Sequence, residues 1–248
     1  MNDRQTDDLQ NAVIYEGADL EALLVLENYA QWIVDCFRPH LSGRVIEFGA
    51  GLGTISHRLR PHVATLDLVE PSSTLIAPLR DRFADDDAVS VVHDTLENQV
   101  GRQADGSLDA VIMVNVLEHI EDDAGALREF QRMLSPGGHL LIFVPALSAL
   151  FSELDRIHGH YRRYHRAPLR RLVEAAGFDI VRLDYFDFVG MFAWFLMNRA
   201  LGKTEFDERL VRLYDRVVVP VMRPLEGLIP PPLGKNLLLV ARRPANGT

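Results

Sequence analysis

The sequence predicts an open α/β sheet, doubly wound and mostly parallel. Three observations carry this reading. A short apolar run (Val45, Ile46, Phe48) leads into Gly49, Gly51 and Gly53 and then into a helical segment from Thr54 to Leu59. That strand–turn–helix order lets an open sheet bring backbone N–H groups and a helix N-terminus up to a nucleotide-type ligand. From Val45 to Pro145, apolar runs alternate with segments of helical period, as parallel strands covered on both faces require. Finally, Glu70, Asp94 and Asn115 stand where successive runs end, which is the edge at which such sheets bind ligands.

The chain has 248 residues, above the usual size of one domain but compatible with a single α/β domain with additions. We expect a core over about residues 40–146, an arm and lid helix over 1–39, and a substrate lid with further elements over 147–248. The lone cysteine, Cys36, excludes internal disulfides and multi-cysteine metal sites and suits a reducing cytosol. The polar, acidic start has no signal-peptide core, and the apolar run Phe188–Met197 is too short to span a bilayer, so a cytoplasmic location is expected. Net charge is −14 over residues 1–150 and +5 over 151–248. The acidic front half argues against nucleic-acid binding. The basic back half is the place for an anionic substrate or the inner membrane surface.

The first helix is expected from Asp19, its N-cap, through an apolar face that includes Leu20, Leu23, Leu24, Trp32 and Phe37, to a stop at Pro39. It serves either as a lid over the cleft or as packing against the sheet. Thr65–Pro71 reads as the second strand, Thr74–Phe83 as a helix, Val89–His93 as the third strand, and Ala110–Val114 as the fourth. A helix over Asp122–Leu134 is expected to end in an αL glycine cap within Ser135–Gly138, before a fifth strand over His139–Val144. Ala167–Ala176 is a helix and Ile180–Phe188 the sixth strand. Leu237–Ala241 is a final strand expected to complete the sheet edge.

The glycine spacing separates two ligand classes. A dinucleotide fingerprint would need glycine at position 54, where the chain has Thr54, and Glu47 would repel a pyrophosphate. Glu47-x-Gly49-x-Gly51-x-Gly53 instead resembles motif I of the class I S-adenosylmethionine-dependent methyltransferases, Rossmann-like enzymes with a seven-stranded sheet. The string Asn115–Ile120 and the Leu134-x-Pro136-Gly137-Gly138…Val144-Pro145 pattern also resemble that family. The resemblance implies S-adenosyl-L-methionine as cofactor and S-adenosyl-L-homocysteine as product. It implies a cofactor site built from Tyr15, Glu47, Gly49, Ala50, Gly51, Gly53, Glu70, Pro71, Asp94, Thr95, Leu96, Asn115, Val116 and His119. In it Glu70 takes the ribose hydroxyls, Asp94 the adenine amino group, and Leu96 packs on the ring. His119 points at the transferred methyl or into the sheet–helix seam.

Residues 151–166 crowd three His, two Tyr and four Arg beside two acids, a density foreign to a core element. Emerging after the fifth strand, they suit a lid over an oxygen-rich or phosphorylated substrate, with Arg162, Arg163 and Arg166 as anion forks and Trp194 on the apolar wall. A solvated basic loop is the plainer alternative. The run from Asp155 to Tyr164, D-x-x-H-G-H-Y-R-R-Y, is similar to one in a bacterial subgroup of the family associated with lipid-linked sugar or envelope chemistry. His158, His160, Tyr161 and Tyr164 are the candidate catalytic groups. No metal is expected, because the His158-x-His160 pair has no further ligands at a suitable spacing. Leu210, Leu213, Tyr214, Val217, Val218 and Val221 recur at helical spacing with Arg209, Arg212 and Arg216 on another face, which suits an anionic bilayer, a dimer contact or an ordinary surface.

The expectation is therefore methyl transfer to an O- or N-acceptor on a small molecule, anionic, sugar-like or lipid-linked, by a monomer or homodimer. The rivals are a dinucleotide-dependent oxidoreductase and a non-catalytic S-adenosylmethionine-binding module.

Overall fold

A computed structural model describes residues 26–204 and 207–245. Seven strands, β1 (Arg44–Phe48), β2 (Thr65–Glu70), β3 (Val89–His93), β4 (Leu108–Val114), β5 (Leu134–Pro145), β6 (Asp179–Phe186) and β7 (Asn236–Arg242), form one sheet. Its order is β3-β2-β1-β4-β5-β7-β6, and only β7 runs antiparallel to its neighbours. The chain order reverses between β1 and β4, so a crevice opens beyond their carboxyl ends.

Alternation along the strands builds two cores. Ile46, Phe48, Val111 and Met113 face one layer, with Leu127 and Phe130 of α5 (Asp123–Met133) and Leu169 and Val173 of α7 (Arg166–Ala175). Val45, Leu66, Leu68 and Ile112 face the other, with Trp32, Ile33 and Phe37 of α1 (Glu27–Phe37). The remaining α-helices among the described residues are α2 (Ser56–Leu59), α3 (Ser73–Arg82), α4 (Leu96–Val100), α6 (Glu153–Ile157), α8 (Phe188–Trp194), α9 (Glu208–Leu213) and α10 (Val219–Leu228).

Three expectations change. The last strand does not complete the edge: β7 is buried through Ala241 and lies between β5 and β6, which its six apolar or amide residues from Asn236 to Ala241 make possible. The helix α5 ends without a glycine cap, because Leu134 is already extended. Gly137, at φ 86°, turns within the long fifth strand, where its N–H bonds Arg243. The described turns of the first helix are packing and not a lid, for Trp32 stacks on Phe186 at 3.9 Å in the second core. Asp19 and Tyr15 lie outside the described residues.

The helix α1 has no cap of its own, since Leu26 offers no side-chain acceptor. The buried carboxylate of Asp215 supplies one, accepting from the N–H groups of Asn28 at 3.1 Å and Tyr29 at 2.9 Å. A residue 187 positions away thus satisfies the orphan donors of the first turn.

Candidate active site

The glycine turn carries positive φ at Gly49 (69°), Gly51 (58°) and Gly53 (75°), a run that L side chains resist. At Gly49 a second constraint applies: an added Cβ would sit 2.4 Å from Cγ2 of Val116. The turn after β1 therefore lies directly against the turn after β4, where Asn115 also adopts a left-handed φ of 54°. Ala50 is buried in the second core.

Glu70 closes the turn from the side of β2. Its Oε2 accepts from the Gly51 N–H at 2.8 Å, and its Oε1 accepts from the Ser72 N–H at 2.8 Å. Burial pushes its carboxyl up, and those two donors pull it part of the way back. Pro71, exposed beside it, accepts at its carbonyl from the His93 ring. Glu47 lies beneath the turn with 2% exposure, and Oε2 has no hydrogen-bond partner. Burial, aided by the negative charge of Glu70, pushes its carboxyl up to about 8. Glu47 thus forms the buried floor of the turn.

Asp94 is more heavily engaged than expected. Its carboxylate accepts from Thr95 N–H (2.9 Å), Asn98 (2.9 Å), Gln99 (2.7 Å) and Arg102 (2.6 Å), which occupies all four lone-pair directions. Burial alone would raise its pKa, but these donors hold it below the usual carboxylate range. An adenine amino group would have to displace a donor, and Arg102, with an exposed side chain, is the loosest of them. Thr95 caps α4, and Leu96 is half-buried against the first core.

The segment after β5 is a tied-down network. Asp155 is fully buried and accepts from Nδ1 of His160 at 2.9 Å, from Nε of Arg163 at 2.7 Å and from the N–H of Ser152 at 2.8 Å. Arg163 is 6% exposed, forks onto Asp155, and lies 4.6 Å from the Trp194 ring. Tyr164 is buried, its hydroxyl donating to Asp123 at 3.0 Å, and burial raises its pKa. Arg163 and Tyr164 are therefore braces; their hydrogen bonds leave neither a free fork for an anion nor an accessible phenol for proton transfer. Arg162 pairs with Asp123 at 2.6 Å, while Arg166 is exposed, its guanidinium 5.7 Å from the Tyr185 ring. Tyr161 is 55% exposed. His119 stacks edge-on with His160 at 4.7 Å. Burial, with the neighbouring His160 and His158, lowers its pKa to about 4, so it is a neutral imidazole at neutral pH.

A groove of about 430 Å³ lined by Trp32, Cys36, His40, Arg182 and Arg223 lies elsewhere, and no residue lining it comes from the ends of β1, β2 or β4.

A family model described as a methyltransferase domain matches residues 24–183, well over half of the chain. The chain belongs to this methyltransferase family. Its cofactor is S-adenosylmethionine, and the residues present fit that group. The Gly49–Val116 contact and the positive φ values at alternate residues of the turn leave a Cβ-free approach beside the carboxylate of Glu70. The methyltransferase is 34% identical over 112 residues to the ubiquinone biosynthesis O-methyltransferase of Xanthomonas oryzae pv. oryzae, covering 42% of this chain and 44% of that protein. It is 24% identical over 147 residues to the ubiquinone/menaquinone biosynthesis C-methyltransferase UbiE of Vibrio vulnificus, covering 56% and 55%. It thus spans about half the length of these curated relatives. A crystal structure of an S-adenosylmethionine-dependent methyltransferase from Thermotoga maritima, a possible histamine N-methyltransferase, shares the fold with a TM-score of 0.61 and 20% identity, covering 92% of this chain and 96% of that one.

Sequence reasoning missed two residues of this methyltransferase. Asp155 ties together the segment after β5, and the Ser152-x-x-Asp155 capping box was a usable signal for it. Glu118 is wholly buried with both oxygens lacking a hydrogen-bond partner, a property no local pattern announces.

Proposed function

We propose that this methyltransferase moves a methyl group to an oxygen or nitrogen of an amphiphilic small molecule at an anionic membrane surface. The observation that carries the transfer itself is the convergence of Gly49, Gly51, Glu70 and Val116 at the point where the sheet order reverses. When bound, S-adenosylmethionine supplies a methyl carbon activated by its sulfonium. Glu70 would hold the ribose hydroxyls, Asp94 and Leu96 the adenine, and Asn115 and Val116 the methionine portion. The chain's main task is then to align an acceptor with the methyl and keep water out. A hydroxyl acceptor needs its proton removed, and we take His158, half-buried with its ring 6.0 Å from that of His160, as the candidate base.

The amphiphilic character rests on the outer helices. Phe192, Phe195, Leu196 and Leu201 in and after α8 are each about half exposed or more, as are Leu210, Leu213, Val217 and Val221 along α9 and its continuation. Among the described residues no helix is long and apolar enough to cross a membrane. An exposed apolar surface beside Arg209, Arg212 and Arg216 instead suits lying on one. The named relatives in quinone biosynthesis support an apolar acceptor. The test is incubation with methyl-labelled S-adenosylmethionine and separate lipid and aqueous extracts of the source cells. Label in the lipid fraction supports the reading, label in the aqueous fraction alone removes the membrane element, and cofactor binding without any transfer would favour a regulatory module.

A further inference from the structure

We propose that Glu118, His119 and His160 form a binding site for one divalent first-row transition-metal ion. Along the chain the His158-x-His160 pair has no further ligand at a suitable spacing. The fold supplies the missing ligands from another loop, because the 3-10 turn Leu117–His119 after β4 meets the segment after α6. The Tyr161 N–H donates to the Glu118 carbonyl at 2.9 Å and holds the two together.

Two features point to a ligand beyond mere proximity. One potential ligand atom from each of the three residues lies within 4.8 Å of the others. Glu118 is 0% exposed and neither carboxylate oxygen has a hydrogen-bond partner, which is an expensive way to keep an acid unless something else satisfies it. Independently, Asp155 accepts from Nδ1 of His160 at 2.9 Å and is itself fixed by Arg163 and Ser152. That leaves Nε2 as the ligand atom of the ring and reproduces the carboxylate–histidine support that metal ligands use. His119 is held by the backbone at His158 and Gly159.

Two imidazoles and one carboxylate favour zinc, iron(II) or manganese(II) over magnesium or calcium, which prefer all-oxygen shells. Ligands about 2.1 Å from one ion sit roughly 3–3.5 Å apart, so closure asks for side-chain shifts of about an ångström. Three protein ligands leave a coordination position open. The cation site does not depend on the acceptor, but its use does, and that use rests on the methyl-transfer reading above. An acceptor hydroxyl bound at the open position would lose its proton to the candidate base His158 more readily. Its oxygen lone pair would then form the O–C bond as the C–S pair returns to sulfur.

The test is a Co²⁺ titration of chelator-stripped full-length chain followed by visible absorption, then displacement with Zn²⁺, with S-adenosylmethionine binding measured on the same samples. One Co²⁺ per chain is expected. His160→Ala and Glu118→Gln should weaken it at least about 10-fold, and Asp155→Asn by about 10- to 100-fold. His40→Ala, which alters the separate His40–His139 pair, should bind like the wild type. If Glu118→Gln fails to fold, the half-buried His160 still permits the comparison. Substoichiometric Co²⁺, or an unchanged affinity in His160→Ala, overturns the site. Cofactor binding without Co²⁺ binding would sink the metal alone, and Co²⁺ binding without cofactor binding would sink the methyl-transfer reading alone.

Discussion

The backbone N–H of Gly51 donates to Oε2 of Glu70 at 2.8 Å, so the glycine turn and the end of β2 share one carboxylate. Removing that acceptor should act twice. Glu70→Ala is expected to lower S-adenosylmethionine affinity at least about 10-fold and to destabilise the free chain by roughly 1–3 kcal/mol, since the Gly51 and Ser72 donors lose their partner. Calorimetric titration and urea unfolding read the two effects separately. Unchanged affinity would place the cofactor elsewhere.

Gly49 faces strain and collision together. Gly49→Ala should cost about 1–3 kcal/mol and weaken cofactor binding, through its φ of 69° and its approach to Val116. Adding Val116→Ala relieves the collision but not the backbone strain, so the double variant should recover only part of the loss. Full recovery in thermal melts would show that φ costs nothing here.

Glu47 makes stability depend on pH. Its folded pKa of about 8 lies above its ordinary 4.5, so its contribution is fully present below about pH 4.5 and is lost as pH rises through 8. Relative to Glu47→Gln, the ligand-free wild type should lose roughly 2–3 kcal/mol between pH 6 and pH 9. Parallel denaturant curves for the two proteins at both pH values would expose this, and identical slopes would mean that Glu47 is ionised in the fold.

Asp215 caps a helix it does not belong to. Asp215→Ala should destabilise the chain by about 1–3 kcal/mol and speed amide exchange at Asn28 and Tyr29. If exchange there stays slow, Leu26 and solvent suffice for the first turn.

Much of this architecture was legible because local pattern and long-range structure agree. The third strand spans Val89–His93 and the glycine turn follows β1, both as read. The errors share a cause. Arg163 and Tyr164 read as chemistry because Arg and Tyr in a loop usually face solvent, whereas Asp155 and Asp123 draw them inward. Glu118 and His119 meet His160 only through tertiary folding, so no spacing along the chain could reveal the trio. The place of β7 was equally hidden, since a buried strand reads the same whether it is last in the sheet or next to last.

That place has a price during synthesis. Among the described residues, the strand β6 bonds to the rest of the sheet only through β7, which ends at Arg242. A growing chain on the ribosome therefore cannot seat β6 until β7 has emerged as far as Arg242. Until then the flanks of β5 and β6 remain open templates for intermolecular strand pairing.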